Sequence, residues 1–212
     1  MRTKILLTAA AAMAAGLVSS SAQVYSANVV GYINVSLTNG FTMVANQLDV
    51  DGTGTNNNIA TVMGTAIPAN TVVEAWNGVG FSSTKWTGTK WTVSSALFTN
   101  AMQPQVGFFV SSPANTNIVE VGNVLQGTNT VPVAPGFQVV SFKAPITGGI
   151  ASALGYVPTK NDVVEIWNGV GFSSHKWSGT IWTAGEPSLQ VGQAVFLDAV
   201  ATNNWTQGFT VQ

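Results

Sequence analysis

Apolar residues come in short runs along this chain, separated by clusters of Gly, Asn, Pro and Ser. Residues 29–35, 42–45, 71–76, 107–110 and 118–121 are such runs, and Val, Thr, Phe and Trp are frequent in them. Residues of this kind suit a pleated, half-buried surface, and the intervening Gly and Asn supply the positive φ that turns need. The 71–76 run shows the period expected of a strand. Val72, Glu74 and Trp76 fall on one face, Val73, Ala75 and Asn77 on the other. Asn77-Gly78 and Asn168-Gly169 predict hairpins with type I′ turns, which require positive φ at both central positions. Helical patterning is confined to residues 58–64 and 149–155, each about two turns ending in Gly. These read as small caps over a barrel or sandwich mouth.

The pattern occurs twice. Residues 72–92, VVEAWNGVGFSSTKWTGTKWT, match residues 163–183, VVEIWNGVGFSSHKWSGTIWT, at 17 of 21 positions with a constant offset of 91. Ile59, Ala60 and Gly64 match Ile150, Ala151 and Gly155 at the same offset. Val35, Gly40, Phe41 and Val44 match Val131, Gly136, Phe137 and Val140 at an offset of 96, which puts five extra residues into 49–58. Downstream, QVGFFV from Gln105 is matched to QVGQAVF from Gln190 at an offset of 85. A repeat of this length makes each copy a supersecondary unit or a small domain. The expected fold is therefore all-β: two tandem, internally duplicated β-sandwich or barrel-like domains, residues 23–123 and 124–212.

Residues 1–22 stand apart. Arg2 and Lys4 precede an apolar stretch over 5–18, and Ser20 and Ala22 occupy the −3 and −1 positions of a cut before Gln23. That order predicts a cleaved secretory signal peptide. The stretch is short of the roughly 20 residues that span a bilayer. The expectation is a secreted protein (extracellular, cell-surface or periplasmic) with no membrane insertion of the mature chain.

Charge is scarce. The chain has 7 Lys or Arg and 8 Asp or Glu, together 7 % of the residues, against roughly 25 % in ordinary soluble domains. Removing residues 1–22 takes Arg2 and Lys4 and no acid, leaving a formal charge of −3. No basic field exists to hold a phosphate backbone, which argues against nucleic acid. With no Cys and one His, disulfide frameworks, thiolate zinc sites and cysteine nucleophiles are excluded. The loop DVDGTGTN, 49–56, spaces oxygens as a calcium loop does. Its twelfth position is Ala60 rather than a bidentate Glu, so an ordinary polar loop is the better reading. No metal and no cofactor are implied.

Catalytic constellations are thin. His175 is the one imidazole, and Thr84 takes its place in the first copy. Glu74 and Glu165 could pair as glycosidase carboxylates only if equivalent residues took different roles. The expectation is not an enzyme. The repeated block instead concentrates Trp: Trp76, Trp86 and Trp91, then Trp167, Trp177 and Trp182. With Asn77, Lys85, Asn168 and Lys176 nearby, these ten are the candidate ligand-binding residues. Aromatic faces stack on the apolar C–H faces of sugars and also suit interfaces, while filling the core or the seam between the two copies is the competing role of Trp.

The order VYSANVVGYINVSL, Gly-Phe, WNGVGF, Trp-Thr, QVGFFV resembles a group of secreted bacterial β-repeat proteins. Their mature region begins with an NVVGYxN-like stretch and carries Trp-Asn-Gly hairpins. The resemblance covers nearly all of the mature chain and implies no particular activity. The expected function is non-catalytic association in a structural, matrix or adhesive role, by self-association or with a surface glycan. The alternative is a tandem carbohydrate-binding module using the Trp blocks.

Overall fold

Period-two alternation governs the backbone from its first described strand. The computed structural model describes residues 29–93 and 95–211. The signal-peptide reading of residues 1–22 lies outside the described residues. β1 (Val29–Leu37) buries Ile33, Val35 and Leu37 and turns Tyr32, Asn34 and Ser36 outward. It pairs antiparallel with β6 (Thr116–Val124), which buries Ile118, Glu120, Gly122 and Val124 on the same side. This ribbon covers a four-stranded antiparallel sheet of β2 (Gly40–Ala45), β5 (Gly107–Ser112), β3 (Val72–Trp76) and β4 (Phe81–Lys85), in that order. Ile33, Leu37 and Ile118 of the ribbon share one core with Val44, Val73, Phe108 and Val110 of the sheet. Two layers around one apolar core make a sandwich-like unit.

The second half follows the same plan. β7 (Gly127–Val133) pairs with β14 (Asn203–Phe209) as a ribbon. β8 (Gly136–Val140), β13 (Val195–Ala199), β10 (Val163–Trp167) and β11 (Phe172–Lys176) form the sheet, again antiparallel. Val131, Phe142, Val164, Leu197 and Trp205 lie in its core. Two short strands, β9 (Gly148–Gly149) and β12 (Ser188–Leu189), pair beside it. Among the described residues no helix is long and apolar enough to cross a membrane.

Three sequence expectations need correction. The helical turn over 58–64 exists as α1 (Ile59–Met63), where the Asn58 side chain accepts from the N–H groups of Ala60 and Thr61 in a capping box. Residues 150–154 close a single turn, Ala153 N–H donating to Gly149 O, rather than the two expected. There the Glu186 carboxylate takes the N–H groups of Ala151 and Ser152, both at 2.7 Å. Burial pulls its pKa up, but the donors at Ser152 and Ala151 outweigh that and hold it below the usual carboxylate range. The hairpins also differ from type I′. Asn77 N–H donates to Gly80 O, so the central residues are Gly78 and Val79, and of these only Gly78 has positive φ (100°). That is the II′ pattern, repeated at Asn168, Gly169 and Gly171. Finally, Glu74 pairs with Phe109 as Glu165 pairs with Phe196, an offset of 87 for these strands rather than 85. The turn Gln103–Val106 corresponds to Gln190–Gln193, each closed by an N–H to O bond of its end residues. A two-residue shift keeps side chains on the same face, so alternation alone does not reveal it.

The outer faces of the two sheets meet. Met43, Ala45 and Phe109 pack with Val139 and Ala194, joined by Trp76, Trp167 and Phe196. The bonds across this seam are reciprocal. Ala45 N–H donates to Gly192 O and Ser141 N–H donates to Gln105 O, both at 2.9 Å. Trp76 Nε1 donates to Phe137 O and Trp167 Nε1 to Phe41 O, both at 3.0 Å. Such mutual exchange is the mark of a two-fold contact, here within one chain. The buried Gln47 adds a one-sided tie, donating to Phe142 O and Ala144 O and accepting from Gly192 N–H at 2.7 Å.

Candidate functional site

The ten residues singled out from sequence separate into two places. Trp76 and Trp167 are half-buried at the seam, their indole N–H groups committed to the opposite half. Asn77 and Asn168 brace the hairpins, each Oδ1 accepting two N–H groups of its own turn. Lys85 and Lys176 are exposed at the ends of β4 and β11. The other four Trp residues form two pairs away from the seam. Trp86 and Trp91 lie 5.5 Å apart at 49°, Trp177 and Trp182 5.3 Å apart at 58°. Trp86 and Trp182 are buried, while Trp91 and Trp177 are half-buried. Neither pair offers two exposed, coplanar rings, the geometry a flat sugar platform needs. Trp86 and Trp91 do line a cleft of about 480 Å³ between their hairpin and α1.

The distinctive surface is at the seam, and its main components are Phe. Phe41 and Phe81 from the first half and Phe137 and Phe172 from the second are 40–52 % exposed. They stand around Phe109 and Phe196, whose rings meet at 6.1 Å. Phe41 stands at 90° to Phe109, and Trp167 at 89°. The other half repeats this with Phe137 at 86° and Trp76 at 85° to Phe196. Edge-to-face contacts are the favoured arrangement of aromatic quadrupoles. The result is two open clefts of about 210 and 240 Å³, both built from residues of both halves. Glu74 lines the first and Glu165 the second. Among the described residues no hydrogen bond or ion pair engages either carboxylate.

Strand alternation explains this face. Val73 and Ala75 point into the first core, so Glu74 and Trp76 must point outward with Phe81, Ser83 and Lys85 of the paired strand. Phe109 and Phe41 come to the same face through β5 and β2. Sequence reading drew attention to the Trp residues, whereas four exposed Phe residues make most of the surface. The signal for them was present: Phe41 with Phe137 and Phe81 with Phe172 are matched pairs in the two halves.

Other polar groups have structural duties. Asp51 accepts from the N–H and hydroxyl of Thr53, and its backbone bond to Thr53 is the largest effect holding its carboxyl below the ordinary value. Asp49 is taken by Asn57 Nδ2 and Gly54 N–H, so loop donors occupy both acids. His175 Nδ1 lies 2.8 Å from Gly185 O. Asp162 accepts from Tyr156 Oη, Thr159 N–H and Val200 N–H inside the second half.

Comparison with protein-family models, curated proteins and solved structures finds no match in any of the three. What the fold and the site define is an antiparallel all-β protein with a composite aromatic face.

Proposed function

We propose that this is a secreted, non-catalytic β protein, built by tandem duplication, that acts by association through the aromatic face at the seam. Its role would be structural, matrix-forming or adhesive, with a second copy of the chain as partner. The observation that carries this reading is the gathering of Phe41, Phe81, Phe137 and Phe172, each at least 40 % exposed, on one surface. Contiguous exposed apolar patches on soluble proteins mark interaction sites. The two-fold arrangement of the face suits an isologous contact, in which the same patch serves both partners. Scarce charge favours it further, because copies repel each other little. Duplication is supported by the 17 of 21 identities and by the matching strand orders of the halves.

Sedimentation of residues 23–212 across a wide concentration range tests the proposal. The weight-average mass is expected to rise with concentration, and the rise to vanish in the Phe81→Ser, Phe172→Ser double variant. Wild type that stays monomeric throughout would overturn it. The carbohydrate-module alternative is favoured by one observation, the cleft beside Trp86 and Trp91. A glycan array with Trp86→Ala and Trp177→Ala controls decides it: binding lost in either variant supports it, and no binding removes it.

A further inference from the structure

We propose that the two seam clefts are binding sites for an organic cation, an alkylammonium group, with Glu74 as counter-charge in one and Glu165 in the other. The inference shares its surface with the association reading but concerns the chemistry of the clefts rather than contact between copies.

Three observations lead to it. First, each cleft has ring walls set nearly at right angles to its floor. In the first, Phe109 is the floor, with Phe41 and Trp167 as walls at 6.0 and 5.7 Å between centroids. In the second, Phe196 is the floor, with Phe137 and Trp76 at 6.4 and 6.0 Å. Rings set at right angles around a small cleft let a cation meet π-electron density from more than one side. A sugar would need one flat ring presented broadside, and hydroxyl-bonding groups beyond a single carboxylate.

Second, each cleft contains one acid without a partner. Glu74 and Glu165 are half-buried beside aromatic rings and receive no hydrogen bond or ion pair among the described residues. Lys85 stands two positions from the residue facing Glu74 on β4, yet makes no ion pair with it. The same holds for Lys176 and Glu165. A carboxylate partly withdrawn from water, beside π-faces that repel it, is complementary to a cation and to little else. The mature chain carries a net negative charge, so nothing long-range opposes the approach of one.

Third, the sizes fit. Clefts of about 210 and 240 Å³ are below the roughly 300 Å³ at which drug-sized ligand pockets begin. They suit a single headgroup rather than an extended molecule.

An alkylammonium group could come from a free quaternary amine or from a lysine side chain on another protein. The test is a titration of residues 23–212, at a concentration where sedimentation shows monomer, followed by the indole N–H signals of Trp76 and Trp167. The probes are tetramethylammonium, N-acetyl-lysine amide and its Nε-trimethyl form. Controls are sodium chloride and tert-butanol, a neutral molecule of similar shape. Saturable shifts are expected with a cation and not with the controls. Glu74→Gln with Glu165→Gln is expected to weaken binding by roughly tenfold or more, in keeping with loss of a counter-charge. Stronger response to the trimethylated probes assigns the sites to quaternary amines; stronger response to the primary amine assigns them to lysine. No saturable shift with any cation, equal binding of tert-butanol, or binding unchanged in the double variant would overturn the proposal. Failure here leaves the sedimentation result standing, and monomeric sedimentation leaves this titration interpretable.

Discussion

Glu120 is the residue least at home in its surroundings. It lies on β6 facing the core, 2 % exposed, opposite Ile33 in the strand register. Neither carboxyl oxygen completes a hydrogen bond, although the Gln47 N–H approaches closely enough to favour the charged form slightly. Burial dominates and pushes the pKa up from 4.5 to about 8. The folded chain therefore keeps a proton that the unfolded chain releases over that interval. Native stability is expected to fall as pH rises from about 4.5 to about 8 and to level off above, by at most about 5 kcal/mol from this group. Glu120→Gln, measured by urea unfolding across that range, is expected to flatten the slope. An unchanged slope would place the titration elsewhere. Nothing in the sequence marked Glu120. Its neighbours Val119 and Val121 are apolar yet exposed, while Ile118 and Val124 are apolar and buried, so the apolar pattern does not choose between the faces of β6. Only the pairing with β1, whose buried residues are unambiguous, fixes the side.

At the level of elements, strands were legible and their joints were not. Residues 71–76 revealed their period because Val73 and Ala75 bury while Glu74 does not. The Asn-Gly hairpins were located correctly but given the wrong turn, since Asn77 serves as the flanking residue that caps the turn rather than as a central one. The second helical segment stops at a single turn, Ala153 N–H donating to Gly149 O at 2.9 Å, for a related reason. Asn58 caps α1 from within, whereas the second half takes its donors to Glu186, 34 and 35 residues away, a link no local pattern shows. The seam has a local requirement too. A Cβ on Gly107 would come within 2.5 Å of Ala194 Cβ and 2.7 Å of Val139 Cγ1. Gly107→Ala is accordingly expected to force the sheets apart and cost about 1–3 kcal/mol. Gly80→Ala, where nothing lies within 4 Å and φ is not in the left-handed region, is the matched control and is expected to cost little. A Gly107→Ala protein as stable as wild type would contradict the close approach of the sheets.

The whole molecule is best understood through its seam. Repetition was plain in sequence, because 17 of 21 residues match in one block. How the halves meet was not, because Met43, Val139 and Phe109 carry no signal separating a sheet's outer face from its core face. The sequence leaves the Trp residues three roles, platform, core or seam between the copies. Trp76 and Trp167 take the last, as mutual ties across the seam. The charge scarcity acquires a location as well: Glu74 lines one cleft and Glu165 the other, and Asp198 stands opposite Phe137 at the edge of the same face. The central claim is that this face is where the protein makes its contacts. The most direct measurement is the assigned indole and aromatic NMR spectrum recorded from dilute to concentrated solution. Signals of Trp76, Trp167, Phe81 and Phe172 are expected to shift together with concentration. Trp205, buried with its indole N–H donating to Leu154 O, is expected to stay fixed. A spectrum independent of concentration, or shifts confined to the exposed Tyr32 of the first ribbon, would contradict the account.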